Sequence, residues 1–412
     1  VVYCFAMIAR VRVGVAWLGL GFGVGLAACG ANVRGDLPAQ GRDVWLDDAT
    51  IRPIEGCSSG DGTGRGRWEV IEHPPGFSRR AGAQVLAFDR SIAIIGGYGE
   101  DNTATDNWRY EHETRRWTRL GAAWTSVASR SMTAAWMPEA REFFVWLGPE
   151  FGRAGRGVRL ALDGTAREVS MDGAPQTFVQ RAAAVAGMVF VAAGVSEGDH
   201  NEFALYDPRS DRWQSVLAPR EQNARGAFSL VADGRSVTMW GGSDATISTG
   251  GSRDDGWRFD VLARQWSGVS RVRAARARWG HDALWIGDSM WVWGGYDRWN
   301  VRSGGRYFAG PDQWLPVSAL GAPGASGETT SFAHWSAWTG SDVFVWTLTA
   351  TGEASAGRWD PRADRWFAAE PPPLAATRRE AASVWSDCAL YVVGGRHGQR
   401  FEFATEVLRW VP

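Results

Sequence analysis

Lysine is absent from this chain of 412 residues: all 44 basic residues are arginine, and 45 acidic ones bring the net charge to -1. A chain so balanced has no global field to draw it to nucleic acid or to an anionic membrane surface. Cysteine occurs four times, and the six histidines, His73, His112, His200, His281, His334 and His397, show no metal-ligand spacing. No serine nucleophile elbow, Walker loop, dinucleotide fingerprint or calcium loop of carboxylates is present, so the sequence names no catalytic residue, cofactor or metal. The apolar stretch from Val13 to Leu26 is about 14 residues, short of the roughly 20 that span a bilayer. Against these absences stand 25 Trp and 52 Gly, the composition of a rigid, turn-rich β protein.

Arg10 and Arg12 precede the apolar stretch, and Leu26-Ala27-Ala28-Cys29 follows it directly. The four-residue box resembles a bacterial lipoprotein signal. That resemblance implies removal of residues 1–28 and acylation of Cys29, and Gly30, rather than Asp, after it resembles an outer-membrane address. Residues 29–66, with a Gly- and Ser-rich run from Gly56 to Gly64, read as a flexible tether. Cys57 and Cys388 then remain, an even number in an exported protein, which permits one disulfide.

From residue 67 onward an apolar strand runs into a small-residue turn seven times. Ile92-Ala93-Ile94-Ile95-Gly96-Gly97 is the first full instance and Leu390-Tyr391-Val392-Val393-Gly394-Gly395 the last. The turn positions are Gly96, Gly148, Gly194, Gly241, Gly294, Thr347 and Gly394, spaced 46 to 53 residues apart. Such a period signals a propeller or a solenoid. Units two, three and six have degenerate turns yet keep their strands, among them Phe143-Phe144-Val145-Trp146 and Val343-Phe344-Val345-Trp346. Each unit also has a small, apolar first strand and a third strand such as Trp257-Arg258-Phe259-Asp260. A fourth opens at Trp117, Trp213, Trp266, Trp314 or Trp366; unit two lacks this Trp. Four short antiparallel strands per repeat make a propeller blade.

The double glycine followed by a Trp roughly 20 residues later resembles the kelch family, whose best-known relative of this kind is the central domain of galactose oxidase. It implies an all-β fold, a seven-bladed kelch-type β-propeller over residues 67–412. Because the seventh unit ends at Trp410 without a fourth strand, and Arg67-Trp68-Glu69-Val70-Ile71 stands alone before the first, the N-terminal strand should complete the last blade beside residues 403–410. Pairing the two removes exposed sheet edges. Cys388 sits at the first turn of that blade and Cys57 lies upstream of its closing strand, so a disulfide between them is geometrically reachable.

Function should sit in the long polar loops over the central channel. Counting back 16 residues from the turn glycine reaches Arg80, Arg225, Arg278 and Arg378, with Arg130 two positions nearer in unit two. Converging guanidinium groups suit a carboxylate or an anionic sugar. They equally suit pairing with Asp101, Glu150, Glu197, Asp199, Asp254 and Asp297 of the facing loops, or with backbone carbonyls. Tyr296 and Trp299, with Trp279, Phe332 and Trp335 nearby, offer faces that stack on sugars or anchor a peptide. His281 and His334 occupy equivalent repeat positions, which points to buried hydrogen-bonding roles.

The kelch resemblance brings two enzymes into comparison. Galactose oxidase needs two Tyr, two His and a Cys crosslinked to a Tyr around copper, and no matching set is visible here. Sialic acid mutarotases are exported kelch propellers that hold an anionic sugar with channel arginines, and the arginine set is compatible with that. The reading is an envelope-anchored, non-enzymatic module that binds a protein segment or glycan, without nucleic acid and touching the membrane only through its lipid. An enzyme on an anionic sugar and a structural scaffold are the alternatives.

Overall fold

The second strand of each repeat is apolar without alternation because it is buried on both faces. Every residue of Ser91–Ile95, Glu142–Leu147, Ser236–Trp240, Ser289–Trp293 and Ala389–Val393 is buried. The computed structural model describes residues 66–412 apart from 100–103, 105, 122–131, 148–154, 176–178, 194–200, 223, 245–250, 298, 325–330, 350–353, 374–377 and 398–401. Arg130, Cys29 and Cys57 therefore lie outside the described residues, as does the tether up to residue 65.

Seven four-stranded antiparallel sheets form, each one blade. In blade 1, Gln84–Phe88, Ser91–Ile95, Trp108–Glu111 and Arg116–Arg119 pair in chain order. Blades 2 to 6 repeat this order, so the seven-bladed kelch-type propeller expected from the repeat is the fold observed. Strand two meets strand three, and strand four leads into the next blade, on one face of the ring, the loop face. The tight turns of each blade lie on the opposite turn face. Seven buried apolar clusters fill the seven junctions, each drawn from two neighbouring blades.

Unit six departs from expectation at Thr347. Val343–Thr349 runs past that position as continuous strand and pairs Leu348 with Ala354. With no glycine to take a left-handed turn, the strand lengthens instead.

Blade 7 closes the ring with the N-terminal strand. Arg67–Ile71 lies beside Val407–Val411, from Arg67 opposite Val411 to Ile71 opposite Val407. The pairing starts later than residue 403, because Glu402–Phe403 joins a small loop-face sheet with Arg378–Arg379 and Arg396–His397. Trp68 takes the place of a fourth-strand Trp. Its indole donates to the Glu370 carbonyl at 2.8 Å, as Trp117 does to Glu72, Trp213 to Ser170, Trp266 to Leu217, Trp314 to Ser270 and Trp366 to Ser318. Each of these bonds ties a blade to the end of the one before.

The junction of blades 7 and 1 carries a buried polar relay. Arg409 Nε donates to the Tyr391 hydroxyl at 3.2 Å, and that hydroxyl lies 3.0 Å from His112 Nδ1. His112 Nε2 is 2.7 Å from Ser386 Oγ, and the imidazole stacks on Tyr391. Burial, offset only in part by Asp387 and reinforced by Arg409 and Arg90, pulls the His112 pKa down to about 4. Since the unfolded side chain titrates near 6.5, the unfolded state alone takes up a proton as pH falls below that value. The native state accordingly loses up to about 3 kcal/mol between pH 6.5 and pH 4. Urea unfolding across that range should show the loss, and His112→Gln should flatten this part of the profile.

Candidate binding site on the loop face

Three of the arginines found by the 16-residue count use that spacing as a hydrogen bond. Arg80 Nη1 donates to the Gly96 carbonyl at 3.0 Å, Arg225 Nη1 to Gly241 at 3.2 Å and Arg278 Nη1 to Gly294 at 3.0 Å. The same nitrogens reach the carbonyls of Asp106, Asp255 and Ser303, which precede strand three. Each guanidinium thus closes the loop between strands two and three of its own blade. Arg80 also pairs with the Asp106 carboxylate, Arg225 grips Asp255 at 2.7 and 2.8 Å, and Arg378 reaches Glu406 at 2.7 Å. Burial weighs against the Asp106 carboxylate, but Arg80 and hydrogen bonds from Ser78 and Trp108 outweigh it and hold its pKa below the usual range. Arg278 has a serine rather than a carboxylate beside it, and burial, with the Arg276 charge adding to it, lowers it to about 9. All four side chains are wholly buried.

Backbone contacts extend this belt from blade to blade. Gly395 N donates to the Arg80 carbonyl at 2.8 Å and Gly242 N to that of Arg278 at 2.9 Å. Gly242 has φ of 99°, and a Cβ on it would approach the Gly226 carbonyl to 2.8 Å, so the second turn glycine is demanded by both conformation and contact.

Beside each buried arginine, the following residue bridges to the residue after the double turn. These bridges are Ala81 with Tyr98, Gly226 with Ser243, Trp279 with Tyr296 and Arg379 with Arg396. Here the repeat stops dictating chemistry. In blade 1, Tyr98 is buried: it packs edge-on against Phe403 at 5.5 Å and its hydroxyl bonds Glu380, which Arg396 also holds at 2.6 Å. In blade 5, Trp279 and Tyr296 stack on one another, with ring centroids 5.0 Å apart and planes at 28°, and both remain partly exposed. Arg276, 63% exposed at its side chain, bonds Asp297 at 2.6 Å next to them. A two-residue hairpin pairing Tyr296 with Asn300 and Asp297 with Trp299 carries this edge; the Trp299 side chain lies outside the described residues, as does that of His334. Burial raises the Tyr296 pKa, keeping the phenol protonated.

Two of the acidic partners foreseen for the arginines pair elsewhere. Asp254 bonds Arg271 and Asp297 bonds Arg276, while Asp101, Glu150, Glu197 and Asp199 lie outside the described residues. A second arginine set went unnoticed in the sequence. Arg109, Arg159, Arg258, Arg306, Arg358 and Arg409 occupy the same place in strand three of six blades, paired across to strand two. Arg258, Arg306 and Arg358 lie over Trp285, Trp359 and Trp410 of the next blade. A planar cation that stacks and donates several hydrogen bonds fits this position, and an ammonium does not. The signal was the Arg-aromatic pair recurring in strand three, as in Arg258-Phe259 and Arg358-Trp359. His281 is buried with Nε2 2.9 Å from Ser229 Oγ, the structural role expected of it.

Fold and loop face together define a seven-bladed propeller of galactose oxidase-like architecture. It is similar to a fungal alcohol oxidase of the AA5 family, solved in complex with copper, at 11% identity over 85% of this chain and 77% of that one, with a TM-score of 0.60. No protein-family model and no curated protein matches the sequence.

Proposed function

We propose that this propeller is a lipid-tethered binding module of the bacterial envelope that takes a glycan on its loop face at Trp279 and Tyr296. The partly exposed aromatic stack, at a position where blade 1 has its tyrosine buried and tied down, carries this reading. An indole face offers apolar surface to the C–H face of a sugar ring, and Arg276 and Asp297 beside it suit the hydroxyls. The repeated arginines support an anionic-sugar enzyme less well. Arg225 and Arg278 are wholly buried and spend their hydrogen bonds on their own blades, whereas Arg378, equally buried, gives Nη2 to Glu406 and leaves Nε and Nη1 without a partner among the described residues.

The fungal neighbour invites an oxidase reading, which the described residues do not fit. Among them no three of His, Cys, Asp and Glu come close enough to hold a metal ion. Cys388 is disulfide-bonded and so cannot crosslink to a tyrosine. Tyr206 and Tyr307 donate to Asp211 and Asp312 within their blades.

Thermal unfolding against a panel of neutral oligosaccharides, acidic sugars and envelope peptides tests the proposal. At a hundredfold excess over Kd a neutral glycan should raise the midpoint by about 3–4 °C. Trp279→Ala should abolish that shift while keeping its own midpoint within about 2 °C of the parent. A shift from acidic sugars alone, retained by Trp279→Ala, would instead favour the anionic-sugar reading, and no shift from any ligand would favour the scaffold.

A further inference from the structure

Cys388 is disulfide-bonded, and the other cysteines of the chain, Cys4, Cys29 and Cys57, all precede Gly66. The bond therefore ties the first turn of blade 7 to the N-terminal segment. We propose that its partner is Cys57, and that the disulfide is a covalent clasp on the ring closure that pins the tether to the face opposite the variable loops.

Strand register brings the two ends together. Arg67 lies opposite Val411, and Trp410 lies opposite both Trp68 and Leu390. Arg67–Ile71 consequently begins on the turn face, at the end of the sheet where Asp387 and Cys388 make their turn, and runs toward the loop face. Passing from its start to Cys388 crosses two strand spacings, roughly 10 Å. The nine residue steps from Cys57 to Gly66 reach about 30 Å when extended. Gly66, with φ of 69°, is held against the Trp410 indole, where a Cβ would collide, so the chain enters the strand in a fixed direction.

The turn that carries Cys388 has the hairpin geometry of the repeat. Asp387 and Cys388 have φ of 48° and 59°, the left-handed pair that a type I′ hairpin turn requires and glycine serves best. Blade 3 meets the same demand with Ala186 and Gly187, at 49° and 73°. Blade 1 makes the same turn with Asp89 and Arg90, at 38° and 55°, so the conformation belongs to the repeat and Cys388 is accommodated in it. In forming the bond, the two thiols lose two protons and two electrons to a protein disulfide of an oxidising compartment, which departs as a dithiol. Once the tether is held on the turn face, Trp279 and Tyr296 face away from the point of attachment. The clasp depends neither on acylation of Cys29 nor on any ligand.

Peptide mapping of the full-length protein without reduction is expected to yield one linked peptide joining Cys57 to Cys388. Cys57→Ser and Cys388→Ser should each lower the unfolding midpoint by about 5 °C, and the double variant no further. Reduction of the parent should speed hydrogen exchange in residues 67–71 at least about tenfold. A linked peptide joining Cys388 to Cys29 or Cys4, or free thiols at both Cys57 and Cys388, overturns the proposal. So does a midpoint lowered by Cys388→Ser and unmoved by Cys57→Ser.

Discussion

A chain that starts after Ile71 will not unfold cooperatively. Blade 7 would keep three strands, and the buried Val407, Leu408 and Trp410 would lose their covering strand. Trp68 goes with the deletion, and with it an edge contact to Phe344 and the indole bond to Glu370 that anchors blade 7 to blade 6. Glu69 goes too, leaving Arg409 without one of its partners. Re-exposing a few hundred Å² of apolar surface costs about 5 kcal/mol or more, comparable with the whole stability of many domains. Denaturant titration followed by far-ultraviolet dichroism should show a broad, early transition. A synthetic peptide covering residues 66–72, added in excess, should restore part of the parent midpoint, because it returns the missing strand but not the disulfide of Cys388. A truncated protein with an unchanged midpoint would mean that the ring closes without it.

Arg225→Ala should be among the most damaging single substitutions, at about 3–5 kcal/mol. The cost comes from what is left behind: a carboxylate on Asp255 without its bidentate partner, and the carbonyls of Gly241 and Asp255 without their donor. Breaking a buried pair from one side is expensive for that reason. Arg225→Lys should recover little, since an ammonium cannot reproduce the fork. The double variant Arg225→Ala with Asp255→Ala should be milder than the sum of the single ones. Urea midpoints measure all four. A loss below about 1 kcal/mol for Arg225→Ala would show that its buried contacts do not hold the loop.

The blade count and the closing strand were legible because they rest on period and phase. A turn position every 46 to 53 residues, and a strand without a partner at each end of the repeat, leave one way to complete seven sheets. Turn geometry was less legible where glycine is missing: Thr347 sits in mid-strand because, without a glycine to turn on, the strand continues its pairing to Ala354. The arginine spacing was readable, but its meaning is set by the folded blade. A 16-residue step is compatible with side chains converging on a ligand or folding back on a carbonyl, and Arg80, Arg225 and Arg278 do the second. Their partners sit directly before strand three, hidden among more numerous loop acids. The strand-three arginines escaped notice because they interrupt apolar strands that already fitted the repeat. Trp279 and Tyr296 stood out only as aromatics in a Trp-rich chain; their exposure, which separates them from Tyr98, is a property of the assembled loop face.

If the repeat builds the ring and the unrepeated pair in blade 5 carries recognition, glycan-array binding of the intact protein should separate the two. The parent should capture a defined set of neutral glycans, Trp279→Ala with Tyr296→Ala should lose all of them, and the two proteins should melt within about 3 °C of each other. Equal capture by both proteins, or no glycan retained by the parent, would contradict it.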